Sequence, residues 1–196
     1  MGSVERQPHA HSHGQVQSAA LRRQGRGGQP LFTASAPTTL LLTSFYWDNF
    51  IHFGMGPQKG PNGGLAITFP MGDKKLPGIA AEDIGKCAYG ILQRGGDFIG
   101  KRVGIAGEHL TGTEMAAALS RALGREIGYN AVPPDVYRAF GFPWGDDLGN
   151  MFQFKRDFNE VFCGARNPAF AWSLNPELQT FDAWLAKNHG RIPLPA

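Results

Sequence analysis

The chain has 196 residues, of which 42% are hydrophobic and 18% charged, so it can form one domain with a sizeable core. The net charge of +3 comes from residues 1–30, which hold four arginines and one glutamate, while the remainder has 15 basic and 15 acidic residues. This balance gives no indication of a basic folded face, and we expect no direct nucleic-acid partner. No apolar run reaches the ~18 residues that span a bilayer, so we expect no membrane partner.

Residues 1–35 are predicted to be a disordered leader, and residues 36–196 to be the folded domain. The leader is polar and rich in Gly, Gln and Arg, so it cannot bury enough apolar surface to offset its ordering entropy. His9, His11 and His13 alternate there and could chelate a metal opportunistically. A flexible tripod lacks the surrounding hydrogen bonds that orient real metal ligands, and we predict no metal site.

Residues 38–54 organise the domain. They begin with a leucine-rich run that does not alternate, which is typical of a parallel strand buried on both faces. After Ser44 the pattern becomes helical, because Trp47, Phe50 and Ile51 recur at spacings of three and four. The segment is therefore predicted to be a strand that opens directly into a helix. Ligands of doubly wound α/β sheets bind at such strand ends.

The rest of the chain alternates between short strands and helices. The patterns predict a loop at 54–64, strands at 65–71, 76–80, 102–106 and 126–132, and helices at 80–93, 111–123, 133–137, 146–158 and 180–188. The helix predicted at 80–93 has an apolar stripe at helical spacing, formed by Ile84, Cys87, Ala88, Ile91 and Leu92. Glu82 and Asp83 in its first turn suit the positive end of the helix dipole.

Seven short motifs carry a family resemblance in their order and spacing. They are FYWDNF, PQKGPNG, LAITFPMGD, PGIAAEDIG, FGFP, DLGNMFQF and LNPELQTFDAWL. Together, over residues 38–193, they resemble the C-terminal half of NmrA-like proteins, in particular the redox-sensor members. These proteins are atypical relatives of the short-chain dehydrogenases. The resemblance implies an α/β chain: the C-terminal part of an NAD(P)-binding Rossmann-like fold with its smaller α+β subdomain, without the N-terminal Rossmann half.

The resemblance also implies a cofactor, NADP, and a binding segment for it. Residues matching Tyr46, Trp47, Asp48 and Asn49 line the nicotinamide end of NADP in the family, with Trp47 standing where Phe is more usual. The alternative interpretation is that Tyr46 and Trp47 belong to the core and that Asn49 caps a helix. The Gly-rich phosphate anchor is not among the quoted motifs, so binding by this chain alone would lack the contacts that supply most affinity.

No catalytic residue is predicted. Short-chain dehydrogenases use a Tyr-x-x-x-Lys pair, in which the lysine lowers the pKa of the phenol. The residues four positions after Tyr46, Tyr89, Tyr129 and Tyr137 are Phe50, Gln93, Pro133 and Gly141. His52, His109 and His189 accompany no nucleophile-elbow motif and are expected at the surface or at helix ends. Cys87 and Cys163 are far apart without a CxxC spacing, which favours reduced structural thiols of a cytosolic protein.

Two main hypotheses for function follow. The first is a nonenzymatic redox-sensing regulator that binds NADP(H) and regulatory protein partners, with a homodimer allowed and a cytoplasmic location that extends to the nucleus. The second is an NAD(P)H-dependent oxidoreductase of the quinone-reductase type, and an inert truncated product is a third, bland possibility. Without neighbouring strands, residues 40–42 would be a hydrophobic edge strand and an aggregation hazard.

Overall fold

The structure is a computed structural model, and it describes residues 36–60 and 62–195. This part of the chain contains eight strands and eight α-helices, and the last five helices follow the last strand in succession. The strands are β1 Leu40–Leu42, β2 Phe45–Tyr46, β3 Gln58–Lys59, β4 Leu65–Phe69, β5 Leu76–Ile79, β6 Arg102–Gly104, β7 Glu108–Leu110 and β8 Ile127–Ala131. The helices are α1 Asn49–His52, α2 Ala81–Gln93, α3 Gly112–Leu123, α4 Pro134–Arg138, α5 Gly145–Asp157, α6 Asn159–Gly164, α7 Pro168–Leu174 and α8 Phe181–Asn188. The predicted disordered leader, residues 1–35, lies outside the described residues.

The strands form three small sheets, each containing a parallel pair. β1 pairs with β6 in parallel, and the order of the second sheet is β2-β5-β7, with β2 and β5 parallel. In the third sheet, β4 lies between an antiparallel β3 and a parallel β8. The predicted mixed α/β architecture with parallel strands is therefore present. The loop predicted at 54–64 contains the short strand β3.

Strand β1 departs from its predicted burial. Its three leucines are half-buried, whereas the unalternating run predicts a strand buried on both faces. The reason is its position, since within the described residues β1 has one neighbour, β6, and its other edge is open. The prediction of a hydrophobic edge strand is confirmed.

The long helices form where local signals predict them. Thr111 and Glu114 form the predicted capping box at the start of α3, and Gly124 ends that helix with a φ of 62°. Thr180 caps α8 by accepting a hydrogen bond from the Ala183 N–H. One detail of the α2 stripe is wrong, because Leu92 is 76% exposed although it has the spacing of a buried residue.

Two apolar clusters form the core. The larger cluster surrounds Phe45, Trp47 and Phe50 and reaches α3, α5 and α8, whereas the smaller one packs α2 against β6 and α7. The two clusters meet at β5, whose Leu76 belongs to the first and Ile79 to the second. The segment between β2 and α1 therefore lies in the larger of the two clusters.

A buried carboxylate connects α2 to the C-terminal region. Asp83 is fully buried and accepts hydrogen bonds from Asn175 Nδ2 at 3.0 Å, Gln179 N at 3.0 Å and Gln179 Nε2 at 3.1 Å. Asp83 therefore does more than interact with the helix dipole, which is the only role that the sequence predicts for it. Asp83 also fixes the chain between α7 and α8, because the Asn175 side-chain amide and the Gln179 backbone N–H would otherwise be buried without an acceptor, while Gln179 Nε2 also donates to Glu82 Oε1.

None of the helices in residues 36–60 and 62–195 is both long enough and apolar enough to cross a membrane. The same residues contain no group of three or more His, Cys, Asp or Glu side chains placed to hold a metal ion.

Candidate functional site

The four residues predicted to line the nicotinamide lie at the junction of β2 and α1, and they divide into two pairs. Tyr46 ends β2, is 37% exposed, and its hydroxyl lies 2.9 Å from Thr43 Oγ1. Asn49 is the first residue of α1 and is half-buried. Tyr46 and Asn49 line the same cavity.

Trp47 and Asp48 lie away from this cavity and have structural contacts. The Trp47 ring is 1% exposed and lies 5.3 Å from the Phe181 ring and 6.4 Å from the Trp184 ring, measured between centroids. Asp48 Oδ2 accepts a hydrogen bond from the Ala81 N–H at 2.8 Å, which ties α1 to the start of α2. The residue at the N-cap of α1 is Asp48, so the alternative in which Asn49 caps the helix is wrong.

The cavity beside Tyr46 has a volume of about 190 Å³ and lies between the end of the β1–β2 segment and the helices α5 and α6. Its lining contains both polar and apolar side chains. It is lined by Thr43, Ser44, Phe45, Tyr46, Asn49, Met55, Leu148, Met151, Lys155, Phe162 and Arg166. Its position at the carboxyl end of parallel strands is where α/β sheets bind ligands.

Lys155 on α5 is the most unusual residue in the cavity. The side chain is 5% exposed, and its Nζ lies 5.4 Å from the ring centroids of both Phe152 and Phe162. Burial, with a smaller contribution from the nearby Arg166 charge, lowers the pKa of Lys155 from 10.5 to about 7. No carboxylate forms a salt bridge with Lys155 in the described part of the chain. The lysine can therefore hold or release a proton near neutral pH.

Arg166 supplies a second cation to the same cavity. Its guanidinium carbon lies 3.7 Å from the centroid of the Phe162 ring, so both cations contact one aromatic side chain. Its Nε donates to the Thr43 carbonyl at 2.8 Å and its Nη1 to the Phe162 carbonyl at 3.3 Å. Burial lowers the pKa of Arg166 from 12.5 to about 10, which leaves it charged at neutral pH.

Ser44 completes the polar part of the lining. The residue is 8% exposed, and its Oγ is buried without a hydrogen-bond partner among the described residues. Because a buried hydroxyl without a partner costs ~1–3 kcal/mol, its persistence in a cavity wall suits a ligand that would satisfy it. The cavity therefore offers hydroxyls from Thr43, Ser44 and Tyr46 together with two buried cations.

A family model with the description NmrA-like family matches residues 32–185, which is most of the chain. The chain belongs to the NmrA-like family. This membership confirms the resemblance carried by the seven sequence motifs.

Solved structures show the same fold. NmrA, described as a negative transcriptional regulator and solved with NADP, matches with a TM-score of 0.64 and 21% identity, over 82% of this chain and 55% of that chain. Triphenylmethane reductase from Citrobacter sp., complexed with NADP(H), matches with a TM-score of 0.58 and 17% identity, over 75% of this chain and 51% of that one. An NADPH-dependent quinone oxidoreductase from Escherichia coli matches with a TM-score of 0.56 and 17% identity, over 74% and 52% respectively.

The NmrA-like chain thus spans about 55% of the length of NmrA, and it corresponds to the C-terminal part. The predicted fold class, the C-terminal part of a Rossmann-like fold with its smaller subdomain, agrees with this partial coverage. Contact of Tyr46, Trp47, Asp48 and Asn49 with a cofactor stays a prediction. The structure brings two of the four to the cavity and places the other two in the core and at a helix junction.

Sequence reasoning did not single out Ser44, Lys155 or Arg166. A signal exists for Lys155, because in the helix predicted at 146–158 it follows the apolar residues Leu148, Met151 and Phe152 at spacings of seven, four and three. Arg166 has no such signal, since it follows the short helix α6, which no pattern predicted. Its position depends on Thr43, 123 residues earlier in the chain.

The predicted roles of the cysteines and histidines hold in most cases. Cys87 is buried on the apolar face of α2, and burial raises its pKa to about 11, which makes it a structural thiol and an unreactive one. His52 and His189 lie at helix ends. His109 was expected at the surface or a helix end, which is wrong: it is half-buried in β7, and its Nε2 lies 2.7 Å from the Arg166 carbonyl oxygen.

Proposed function

We propose that this chain is the C-terminal portion of an NADP(H)-linked regulatory protein that responds to the redox state of the cofactor. The observation that carries the proposal is the wall formed by Tyr46 and Asn49 in a polar cavity at the carboxyl end of parallel strands. NmrA itself, a transcriptional regulator, has been solved with NAD and with NADP, which supports the same cofactor here.

The residues present fit the nicotinamide end of NADP(H). Its carboxamide needs both a hydrogen-bond donor and an acceptor, and the Asn49 side chain carries both on the cavity wall. The unpartnered Ser44 hydroxyl is a further polar group within the same cavity. When bound, NADP(H) supplies a ring that gains or loses a hydride, and the chain's role is to bind and orient that ring between Tyr46 and Asn49.

A regulatory role is favoured because the cavity lacks the proton-transfer pair of short-chain dehydrogenases. The Tyr46 hydroxyl is paired with Thr43 Oγ1, and no lysine stands four residues after any tyrosine. One observation favours the alternative, an NAD(P)H-dependent oxidoreductase of the quinone-reductase type: Lys155, with a pKa of about 7, lines the same cavity and can hold a proton there.

A regulator also needs partner surfaces, and a patch of apolar residues that includes one residue of β1 suits a second copy of the chain. This edge patch consists of Leu41, Leu92 and Ile99, of which Leu92 is 76% and Ile99 51% exposed. Beside it, β1 has no strand partner on its second edge among residues 36–60 and 62–195, which favours edge-to-edge pairing between copies. We extend the proposal to other regulatory protein partners in the cytoplasm and nucleus.

Two measurements test the proposed function. Titration of the 196-residue chain with NADPH, followed by NADPH fluorescence, should saturate, and Asn49→Ala should weaken binding at least five-fold. Asn130→Ala is the matched control, since Asn130 lies on β8 and donates to Thr68 Oγ1 outside the cavity. Absence of saturable binding would contradict the cofactor role. Turnover of NADPH with quinones, read from its absorbance, would replace the regulatory role by the oxidoreductase role.

A further inference from the structure

The cavity beside Tyr46 contains two buried positive charges and no buried negative charge to balance them. Lys155 and Arg166 both contact the Phe162 ring, and neither is within salt-bridge distance of a carboxylate in residues 36–60 and 62–195. Two desolvated cations of the same sign repel each other and destabilise the fold unless an anion joins them. This arrangement of charge points to a ligand.

Hydrogen-bond donors converge on the same space. Arg166 uses Nε and Nη1 on the Thr43 and Phe162 carbonyls, while its Nη2 has no acceptor among the residues that the structure describes. Lys155 Nζ lies over the rings of Phe152 and Phe162 and likewise has no hydrogen-bond acceptor in that part of the chain. Ser44 Oγ, on a residue 92% buried, is the third donor without a partner there. An oxyanion is the group that can accept from all three.

The remaining walls define what the oxyanion is attached to. Phe45, Met55, Leu148 and Met151 supply the apolar part of the cavity lining, and Leu148 and Met151 share one face of α5 with Lys155. The volume of about 190 Å³ is smaller than the ~300–1,000 Å³ of most ligand pockets, so the ligand is small. A flat or short apolar body with one charged end matches a cavity of this size and polarity.

We propose that this cavity binds a small organic carboxylate, with its oxygens on Lys155 Nζ, Arg166 Nη2 and Ser44 Oγ and its apolar body against the methionine and leucine wall. The proposal goes beyond the proposed function and is tested without the cofactor; because both ligands would use Ser44 in one cavity of about 190 Å³, we expect the carboxylate and the nicotinamide to compete. A phosphate has the same oxyanion chemistry, but it carries no apolar body to cover Phe45, Met55 and Leu148.

The test is calorimetric titration of the full chain with benzoate at pH 6.5, without cofactor. Saturable binding is expected, with benzamide, a neutral molecule of the same shape, at least ten-fold weaker. Lys155→Met should weaken benzoate at least ten-fold. Lys101→Met is the matched control: Lys101 also lies over an aromatic ring, 5.7 Å from the Phe98 centroid, but it is exposed and outside the cavity, and benzoate affinity should not change.

A second variant keeps the test decisive if Lys155→Met alters folding. Ser44→Ala removes one donor and an unsatisfied hydroxyl, so it should fold at least as well as the wild type and bind benzoate three-fold or more weakly. Equal affinity for benzoate and benzamide, unchanged affinity in both variants, or inorganic phosphate binding as tightly as benzoate would each overturn the proposal. Failure of NADPH to bind would count against the proposed function alone, because benzoate is measured without it.

Discussion

Single residues in this molecule show why sequence signals locate buried polar groups poorly. The sequence places Asp83 correctly in the first turn of a helix. The hydrogen bonds that Asp83 accepts from Asn175 and Gln179, however, join residues 92 and 96 positions apart in the sequence. Lys155 follows an inward-facing stripe and is itself inward, although lysine is rarely fully buried. Local spacing gives the face of a helix. What opposes that face depends on contacts that no local pattern contains.

The buried lysine makes stability depend on pH in a defined direction. The folded-state pKa of Lys155, about 7, is below its ordinary 10.5, so between these values the unfolded chain binds one more proton than the folded chain. The free energy of unfolding therefore rises with pH across this window, by ~1.4 kcal/mol per pH unit, and the cost of the buried charge is fully present below pH 7.

Lys155→Met should remove both the cost and the slope. We expect the variant to be more stable than the wild type at pH 6.5 by ~1–4 kcal/mol, and the difference to shrink towards pH 9. Urea unfolding at several pH values between 6 and 9 measures this, with Lys101→Met as the control that keeps the wild-type slope. Parallel curves for wild type and Lys155→Met would show that the lysine is not buried as described.

At the scale of elements, helix starts were the most predictable feature and sheet neighbours the least. The capping box at Thr111 and Glu114 is contained within four residues, so the sequence predicts the start of α3 directly. The helix α7 was missed although Asn167 caps it and Pro168 opens it, which is a recognisable signal. The burial of β1 was predicted wrongly because a leucine run does not reveal how many strands flank it.

The contact between β5 and the β2–α1 junction gives a prediction at this scale. Gly78 on β5 faces the Trp47 indole so closely that a Cβ there would overlap Nε1. Gly78→Ala should therefore lower the free energy of unfolding by ~1–3 kcal/mol, since the ring has no free space to move into. Urea unfolding followed by tryptophan fluorescence provides the measurement.

Gly85→Ala on α2 is the matched control. A Cβ at Gly85 meets no atom within 4 Å, and alanine is the better helix former, so we expect a gain of ~0.5–1 kcal/mol. Equal stabilities for Gly78→Ala and the wild type would contradict the close packing of Trp47 against β5, and with it the assignment of Trp47 to the core.

At the scale of the whole molecule, the proposed association of two copies of the chain depends on the open edge of β1 and on the edge patch. Leu92 and Ile99 are exposed, so the fold does not require apolar side chains at these positions. The double variant Leu92→Glu with Ile99→Glu should therefore fold normally, and it should shift the chain towards the monomer. Light scattering after gel filtration gives the mass. Val161→Glu is the control, because Val161 is 73% exposed on α6 and should leave association unchanged.

Two results would contradict this account of association. If the wild type is a monomer at all concentrations, the edge patch does not join copies of the chain. If Val161→Glu disrupts association as strongly as the double variant, the effect comes from added negative charge and not from the edge of β1.

The most direct test of the central claim, that Tyr46 and Asn49 form a nicotinamide-binding wall, is nuclear magnetic resonance of the side-chain amides during titration with NADPH. We expect a saturable shift of the resonances of the Asn49 side-chain amide, while those of Asn130, on β8, stay in place. A saturable shift confined to Asn130 and other residues outside the cavity, or no saturable shift at Asn49, would contradict it.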